Sequence, residues 1–373
     1  MKFTIEKNIL LESLNHVIKA ISTKNVIPIL NGIKFELNSK GLELTASNSD
    51  LTIKTTIDKK SITKIDTEGI AIIQSRYILE LIRKMPSDII NFELIDNVKI
   101  NIYTDSNQYS LNCLDVKEYP NIKLDKAKDP IFLKASLLKN IINQTSFAIS
   151  NQELRPLLTG LNFKITGDIL ECIATDSYRL SKKTIKLDNS LENDVNIVIP
   201  GKNIIELEKI IDDEEENVEI HIFNNKILFE YKNILFQSNL LNGTYPNTSN
   251  LIPTEFEITS TVSLKEYFDA VDRASLLTQG KDKNIVVMKI DKNEMILNSY
   301  ASEIGKVEEK LTVESSKDAS INISFSSRYM LEALRVFKDE NIDILLNNDV
   351  KPIILKSKED DSLIELILPI KTY

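Results

Sequence analysis

The sequence predicts an α+β fold of three repeated domains, each built from two β-α-β-β-β halves, along 373 residues. Two observations carry this. First, the segments Ser75-Arg76-Tyr77-Ile78-Leu79-Glu80-Leu81, Gly201-Lys202-Asn203-Ile204-Ile205-Glu206-Leu207 and Ser327-Arg328-Tyr329-Met330-Leu331-Glu332-Ala333 follow one another at intervals of 126 residues. Each sets a base, an acid and a base at positions 0, +4 and +7: Arg76/Glu80/Arg83, Lys202/Glu206/Lys209 and Arg328/Glu332/Arg335. On a helix those three positions share one face. The apolar Ile78, Leu79 and Ile82, Ile204 and Ile205, and Met330, Leu331 and Leu334 form the opposite face. Length alone allows two or three domains, and the repeat selects three. Second, short runs that alternate apolar and polar residues flank each helix, as half-buried strands do.

The elements follow in order. Each unit opens on a strand and an amphipathic helix. Phe3-Thr4-Ile5 leads into a helix over 9–21, Ile131-Phe132-Leu133 into one over 137–149, and Phe256-Glu257-Ile258 into one over 264–277. Strand pairs come next at 32–37 and 41–45, 160–165 and 169–175, and 285–290 and 294–300. A further strand (70–73, 195–199, 321–325) enters each basic-striped helix. Strands at 91–95 with 99–103, 218–222 with 227–231, and 341–346 with 352–356 complete the units. Tyr119-Pro120-Asn121 and Tyr245-Pro246-Asn247, again 126 residues apart, precede the polar connectors 123–130 and 248–254. Proline there fits, because it cannot continue a sheet ladder. The expected domains are 1–125, 126–253 and 254–373.

A hydrophobic content of 42% is enough for packed cores. The net charge of −9 argues at first against a nucleic-acid partner. Net charge hides distribution, however, and the three basic stripes suggest a basic surface segregated from an acidic one. Cys113 and Cys172 lie in apolar strand-like runs and read as core thiols rather than a disulfide or metal spacing. No secretory segment follows Met1, and no apolar run approaches the roughly 20 residues that span a membrane. The expectation is a cytosolic protein without metal or cofactor.

No catalytic constellation is visible. His16 and His221 have no carboxylate or cysteine partner at motif spacing, and the scattered glycines form neither a dinucleotide fingerprint nor a phosphate loop. Gly201-Lys202 lacks the flanking residues of such a loop. The run 212–216 reads as a solvated acidic turn. Asp176 and Ser177 adjoin, but no base completes a nucleophile arrangement. Bases on helix faces can touch a phosphate backbone without reading sequence. Base–acid pairs of this spacing also occur on any exposed helix and stabilise it by only tenths of a kcal/mol. Two alternatives remain open: a repeat scaffold that binds linear peptides but not DNA, and an enzyme with a carboxylate site near Asp176.

Over its whole length the chain resembles the bacterial DNA sliding clamp family, the β subunit of DNA polymerase III. The residues that carry the resemblance are Met1-Lys2-Phe3-Thr4-Ile5-Glu6, Ile27-Pro28-Ile29-Leu30, Tyr245-Pro246, Leu368-Pro369-Ile370 and, most specifically, Ala174-Thr175-Asp176-Ser177-Tyr178-Arg179-Leu180. The resemblance implies the DNA clamp fold and a head-to-tail dimeric ring, with twelve helices around a channel for duplex DNA and sheets outside. It implies a processivity factor with no catalytic site of its own. Its partners would be the replicative polymerase, the clamp loader and other proteins carrying short clamp-binding peptides.

The resemblance also assigns residues. Arg76 and Gln152 match DNA-contacting positions, and Lys24 stands where the family often has arginine, keeping the charge but losing the fork. With the stripes, the expected DNA contacts are Lys24, Arg76, Arg83, Gln152, Lys202, Arg328 and Arg335. Where some members carry two tyrosines, this chain has Pro156 and Leu157, which removes stacking there. A peptide groove is implied at Leu158, Thr175, Tyr178, Arg179, Leu180, Pro246, Leu251, Leu366, Leu368 and Pro369, an apolar cleft for the Leu or Phe side chains of a linear motif. The dimer interface is expected at Tyr109 on an edge strand and at Leu276 and Leu277.

Overall fold

A computed structural model describes residues 1–22, 26–152, 154–278, 284–316 and 320–371. The first repeat contains β1 (Lys2–Glu6), α1 (Lys7–Val17), β2 (Gly32–Asn38), β3 (Gly41–Ser47), β4 (Leu51–Asp58) and β5 (Ile62–Thr67). It continues with β6 (Gly69–Gln74), α2 (Ser75–Lys84), β7 (Ile89–Ile95), β8 (Lys99–Tyr103) and β9 (Gln108–Leu114). The second contains β10 (Ile131–Lys134), α3 (Ala135–Thr145), β11 (Gly160–Thr166), β12 (Ile169–Thr175) and β13 (Arg179–Lys186). Its second half is β14 (Val195–Pro200), α4 (Gly201–Glu208), β15 (Asn217–Ile222), β16 (Lys226–Tyr231) and β17 (Ile234–Asn239). The third contains β18 (Ile258–Ser263), α5 (Leu264–Ser275), β19 (Ile285–Asp291), β20 (Glu294–Ala301), β21 (Gly305–Thr312) and β22 (Glu314–Ser315). It ends with β23 (Ser320–Ser326), α6 (Ser327–Leu334), β24 (Asn341–Leu346), β25 (Ile353–Ser357) and β26 (Leu363–Ile367).

The β-α-β-β-β half therefore occurs as expected, with two additions. Strand β5 pairs with β1 but buries only Ile62 well, so its sequence carries no strong alternation. The two-residue β22 pairs with β18. The opening helices are shorter than their apolar periodicity suggests. After α1 and α3 the chain tightens into 3₁₀ turns, Ile18–Ala20 and Ser146–Ala148, as helix ends commonly do.

The chain packs as two compact units, Met1–Leu138 with Glu206–Leu240, and Lys139–Ile205 with Leu241–Tyr373. In the first, thirteen strands form one sheet in the order β10-β15-β16-β17-β4-β3-β2-β6-β9-β8-β7-β1-β5. Phe3 stacks on Phe92 at 4.8 Å between ring centroids, and Phe35 lies 6.3 Å from Phe92. Gly41 turns β2 into β3 at φ +136, where a Cβ would lie 2.1 Å from the Ile57 carbonyl, so no other residue fits this turn without rearrangement. In the second unit the sheet order is β14-β11-β12-β13-β26-β25-β24-β18-β22, beside a sheet of β21-β20-β19-β23. Tyr267, Phe325, Met330 and Leu297 anchor its larger apolar core.

Both thiols lie in strands, Cys113 half-buried and Cys172 fully buried. Burial pushes Cys113 up to about 11 and Cys172 further still. At neutral pH roughly one Cys113 side chain in 10⁴ is then thiolate, the reactive form. The folded protein is expected to leave Ellman's reagent unreacted over minutes and to titrate both thiols once denatured. Stoichiometric reaction of the native protein would contradict this placement.

Candidate functional site

The turn between β12 and β13 carries the most specific sequence segment, and its geometry is over-determined. Ser177 adopts φ +78, a left-handed conformation. The Asp176 carboxylate accepts the amides of Tyr178 at 2.9 Å and Arg179 at 3.1 Å. The Thr175 hydroxyl donates to the Arg179 carbonyl at 2.5 Å and accepts the Ser177 amide at 3.2 Å. This aims the Arg179 guanidinium inward, where it is 7% exposed. Nε donates to Asp176 at 3.1 Å, Nη1 to Glu332 on α6, and Nη2 to the Phe147 carbonyl at 2.7 Å. The guanidinium also lies 4.5 Å from the Tyr329 ring centroid and 5.2 Å from that of Phe147. A fork that serves two carboxylates, a carbonyl and two rings suits arginine alone. Asp176 is spent on this turn, and Ser177 accepts from Arg155 at 2.9 Å, so neither is arranged as a nucleophile.

Beside this turn opens a cleft of about 580 Å³, lined by Tyr178, Tyr329, Arg328, Ser326, Asn284 and the segment Leu368-Pro369-Ile370-Lys371. Tyr178 is 57% exposed, and its ring stacks on Tyr329 at 6.5 Å. The Leu368 amide donates to the Tyr178 carbonyl at 2.9 Å, and the Ile370 amide to the Ser324 carbonyl at 2.7 Å, fixing the wall. Of the expected groove residues, Tyr178, Leu368 and Pro369 meet here. Pro246 lies elsewhere, in a cleft of about 350 Å³ with Ile173, Ile252, Lys164, Glu171 and Lys182.

Leu158, Leu180 and Leu366 are not exposed, contrary to the expected open apolar wall. They are buried in one cluster with Ile173, Tyr245 and Ile354, against which Leu241, Ile252 and Phe256 pack. The pairing of Leu180 with Leu366 across β13 and β26 sets them in the sheet interior. Thr175 and Arg179 are likewise buried and act as scaffold. Leu251 is half-exposed on the 3₁₀ turn Ser249–Leu251 and lines neither cleft. Tyr329, Phe147 and the second role of Glu332 are site features outside the expected groove, and Ile370 joins them from the Leu368-Pro369-Ile370 segment. Tyr329 had a signal, since it repeats the Ser-Arg-Tyr of Tyr77, which is 53% exposed.

The helix faces agree with the expected stripes in part. Arg76, Glu80 and Arg83 are exposed on α2 over buried Ile78 and Ile82. Arg328 is exposed on α6 and Arg335 at the residue that follows it, while Glu332 leaves the stripe to bind Arg179. Lys202 and Lys209 are exposed on α4 and the following residue. Ile205, expected on the apolar face, is 38% exposed because it sits three residues after Lys202 on the same side, and Asn203 is buried instead.

The stripe bases differ in their partners. Arg83 pairs with Glu80 at 2.7 Å, and Lys209 with Glu206 at 2.6 Å. Arg328 and Arg335 lie 5.0 and 5.8 Å from the ring centroids of Tyr329 and Phe268. Among the described residues Arg76 and Lys202 have no ion pair. Gln152 is exposed, its amide accepted by Ser150 at 3.1 Å. Lys24 lies outside the described residues. Pro156 opens a 3₁₀ turn, and Leu157 packs on the Leu158 cluster.

At the expected interface, Tyr109 is 37% exposed and Leu276 60%, while Leu277 is half-buried. The strand of Tyr109 is an edge only in part. β9 pairs with β6 through Cys113 and Leu114, while Tyr109 pairs with Ile102 of β8 and faces no strand on its other side among the described residues.

Glu219, His221 and Glu230 bring three ligand atoms within 4.8 Å of one another. The arrangement does not suit a metal. His221 Nδ1 accepts the Ala127 amide at 3.2 Å. The neutral ring therefore carries its hydrogen on Nε2, the nitrogen 3.7 Å from Glu219 and 3.9 Å from Glu230. Burial lowers the pKa of His221 and favours that neutral ring. Lys126 already neutralises Glu230. His221 thus fastens the connector after the first repeat, as a packing histidine rather than a ligand.

Three family descriptions match the chain: the N-terminal domain of the DNA polymerase III beta subunit over residues 1–123, its central domain over 132–247 and its C-terminal domain over 249–371. The beta sliding clamp of Bacillus subtilis (strain 168) is 39% identical over 378 residues, covering all of both chains. That of Staphylococcus aureus is 37% identical over 377 residues, again covering all of both. The crystal structure of the DNA polymerase sliding clamp from Bacillus subtilis superposes with a TM-score of 0.96 at 38% identity, covering 100% of each chain. With three successive domains matched and relatives this similar from end to end, the chain belongs to the DNA polymerase III beta subunit family and has its three-domain clamp fold.

Proposed function

We propose that this chain is the sliding clamp of a replicative DNA polymerase, a non-catalytic accessory subunit that confers processivity by encircling duplex DNA and sliding along it. The observation that carries this is the end-to-end likeness to beta sliding clamps across all three domains. The domains run 1–125, 126–253 and 254–373, in keeping with the three matched segments. Two copies join head to tail. The open side of β9 around Tyr109 in one copy and the exposed Leu276, with Leu277, in the other are suited to that contact.

The exposed bases Arg76, Arg83, Lys202, Arg328 and Arg335, with Gln152, face the phosphates. Diffuse phosphate contacts hold DNA without fixing a register, so grip and mobility coexist. Short peptides of the polymerase, the clamp loader and other partners dock against Tyr178, Leu368 and Pro369. Arg179 and Thr175 hold that wall, and the Leu158, Leu180 and Leu366 cluster supports it, while Pro246 and Leu251 lie outside this cleft. Among the described residues no helix is long and apolar enough to cross a membrane. The site of action is the cytoplasm, where replication occurs.

The test is retention on DNA after a high-salt wash. The protein is loaded onto nicked circular plasmid with a clamp loader and ATP, and the plasmid is then cut. Survival on circles and release on linearisation is the expected result. Equal loss from both forms, with a known clamp retained in parallel, would replace this reading with a peptide-binding scaffold that does not encircle DNA.

A further inference from the structure

Beneath Arg179 lies a carboxyl group with no role in the site described above. Glu365 sits in the middle of β26, between β13 and β25, and is 1% exposed. Its cross-strand partner is Ser181, whose hydroxyl lies 2.6 Å from Glu365 Oε1 and 2.8 Å from the Gln144 carbonyl oxygen. The Gln144 carbonyl belongs to the last turn of α3, where carbonyls lack helical partners. A carbonyl can only accept, so the single Ser181 hydrogen goes to Gln144. The contact to Glu365 then needs a hydrogen of its own. Both contacts are of full hydrogen-bond length, and sharing one hydrogen between them would lengthen both.

We propose that Glu365 is a neutral carboxylic acid in the folded protein, and that its proton, passed as a hydrogen bond through Ser181, fastens the end of α3 to the β13–β26 floor beneath Arg179. The chain of donors runs from the Glu365 hydroxyl to Ser181 Oγ, and from the Ser181 hydroxyl to the Gln144 carbonyl. The Gln144 side chain extends it, donating to the Val336 carbonyl just after α6 at 3.3 Å. Ionisation would turn the Ser181 hydrogen toward Glu365 and strand the Gln144 carbonyl.

The surroundings favour the acid form. Burial pushes Glu365 well above the ordinary carboxylate range against the pull of the Arg179 charge. That Arg179 charge is already met by Asp176 and Glu332, so a third carboxylate there would add an uncompensated buried charge. Glu365 is thus a positioning residue, and the inference does not depend on what the clefts bind.

The sign of the pH effect follows. Unfolded, the group loses its proton near the ordinary value of about 4.3. Folded, it keeps the proton to higher pH. Its contribution to stability is therefore full below that value, and the folding equilibrium constant falls about tenfold per pH unit until the folded group ionises. The experiment compares the full chain with Glu365→Gln, whose amide can still donate to Ser181, and with Ser181→Ala. Infrared difference spectra at neutral pH are expected to show a protonated-carboxyl band in the wild type that E365Q lacks. E365Q is expected to gain on the wild type in melting temperature as the pH rises above the ordinary carboxylate value, by a margin that widens until the folded group ionises. Amides next to the end of α3 are expected to exchange faster in S181A but not in E365Q. Absence of the infrared band, parallel pH–melting curves for wild type and E365Q, or failure of E365Q to fold would each overturn the proposal.

Discussion

Replacing Arg179 by alanine is expected to destabilise the protein by about 3–5 kcal/mol, the cost of breaking a buried ion pair by removing one partner. The guanidinium is 7% exposed and satisfies Asp176, Glu332 and the Phe147 carbonyl together. Its loss leaves two carboxylates and a carbonyl facing a cavity, and removes the plate on which Tyr329 and Phe147 rest. Tyr178 loses its stacked neighbour's support, so peptide binding at the adjoining cleft is expected to vanish even where the fold survives. Arg179→Lys keeps the charge but reaches one partner at a time, and should recover less than half of the loss. Glu332 is 30% exposed and can rehydrate, so Glu332→Gln should cost less than R179A. Urea denaturation checks the stabilities, and fluorescence polarisation of a labelled clamp-binding peptide checks the cleft. A loss below about 1 kcal/mol for R179A, typical of a surface pair, would show that the guanidinium is not the hub drawn here.

Changing Arg76, Lys202 and Arg328 to alanine together is expected to lower the salt dependence of duplex binding by about 2–3 units of log–log slope, at roughly 0.9 for each phosphate no longer neutralised. These bases occupy the first position of each repeated stripe. Arg76 and Lys202 have no intramolecular ion pair among the described residues, and Arg328 rests on an aromatic ring that leaves its charge available. Arg83 and Lys209 are already paired with Glu80 and Glu206, so changing those two should alter the slope by less per residue. Titrating linear duplex at several salt concentrations without a loader distinguishes the sets. Equal effects from both would mean that the helical acids do not screen their neighbours.

The fold was legible because its main signals are local. Alternation in runs such as Gly32–Asn38 and the base–acid–base spacing within each striped helix need no knowledge of distant residues. Strand β5 was not legible, because a solvent-facing edge strand has no buried face to write into its sequence. The segment around Arg179 was readable as important, but not what the side chain does. Its partners come from two remote places along the chain, Phe147 from the turn after α3 and Tyr329 with Glu332 from α6. The same limit explains Leu180 and Leu366. Alternation gives the face a residue points to, while its exposure depends on what covers that face, here Leu241, Ile252 and Phe256. Burial that depends on a remote segment leaves no mark at the buried residue itself.

The ladder between β4 and β17 bears on how the protein is made. Leu51 pairs with Ser238 and Thr55 with Ile234, so the strand that completes β4 lies roughly 180 residues further along the chain. At about 5–20 residues per second, a ribosome needs roughly 9–36 seconds to deliver it. Throughout that interval β4 presents a bare row of amides and carbonyls flanked by Leu51, Ile53 and Ile57. Neighbouring ribosomes on the same message hold the same bare row in reach. Early loss of this protein to aggregation during fast synthesis would begin at that strand, long before any subunit contact exists.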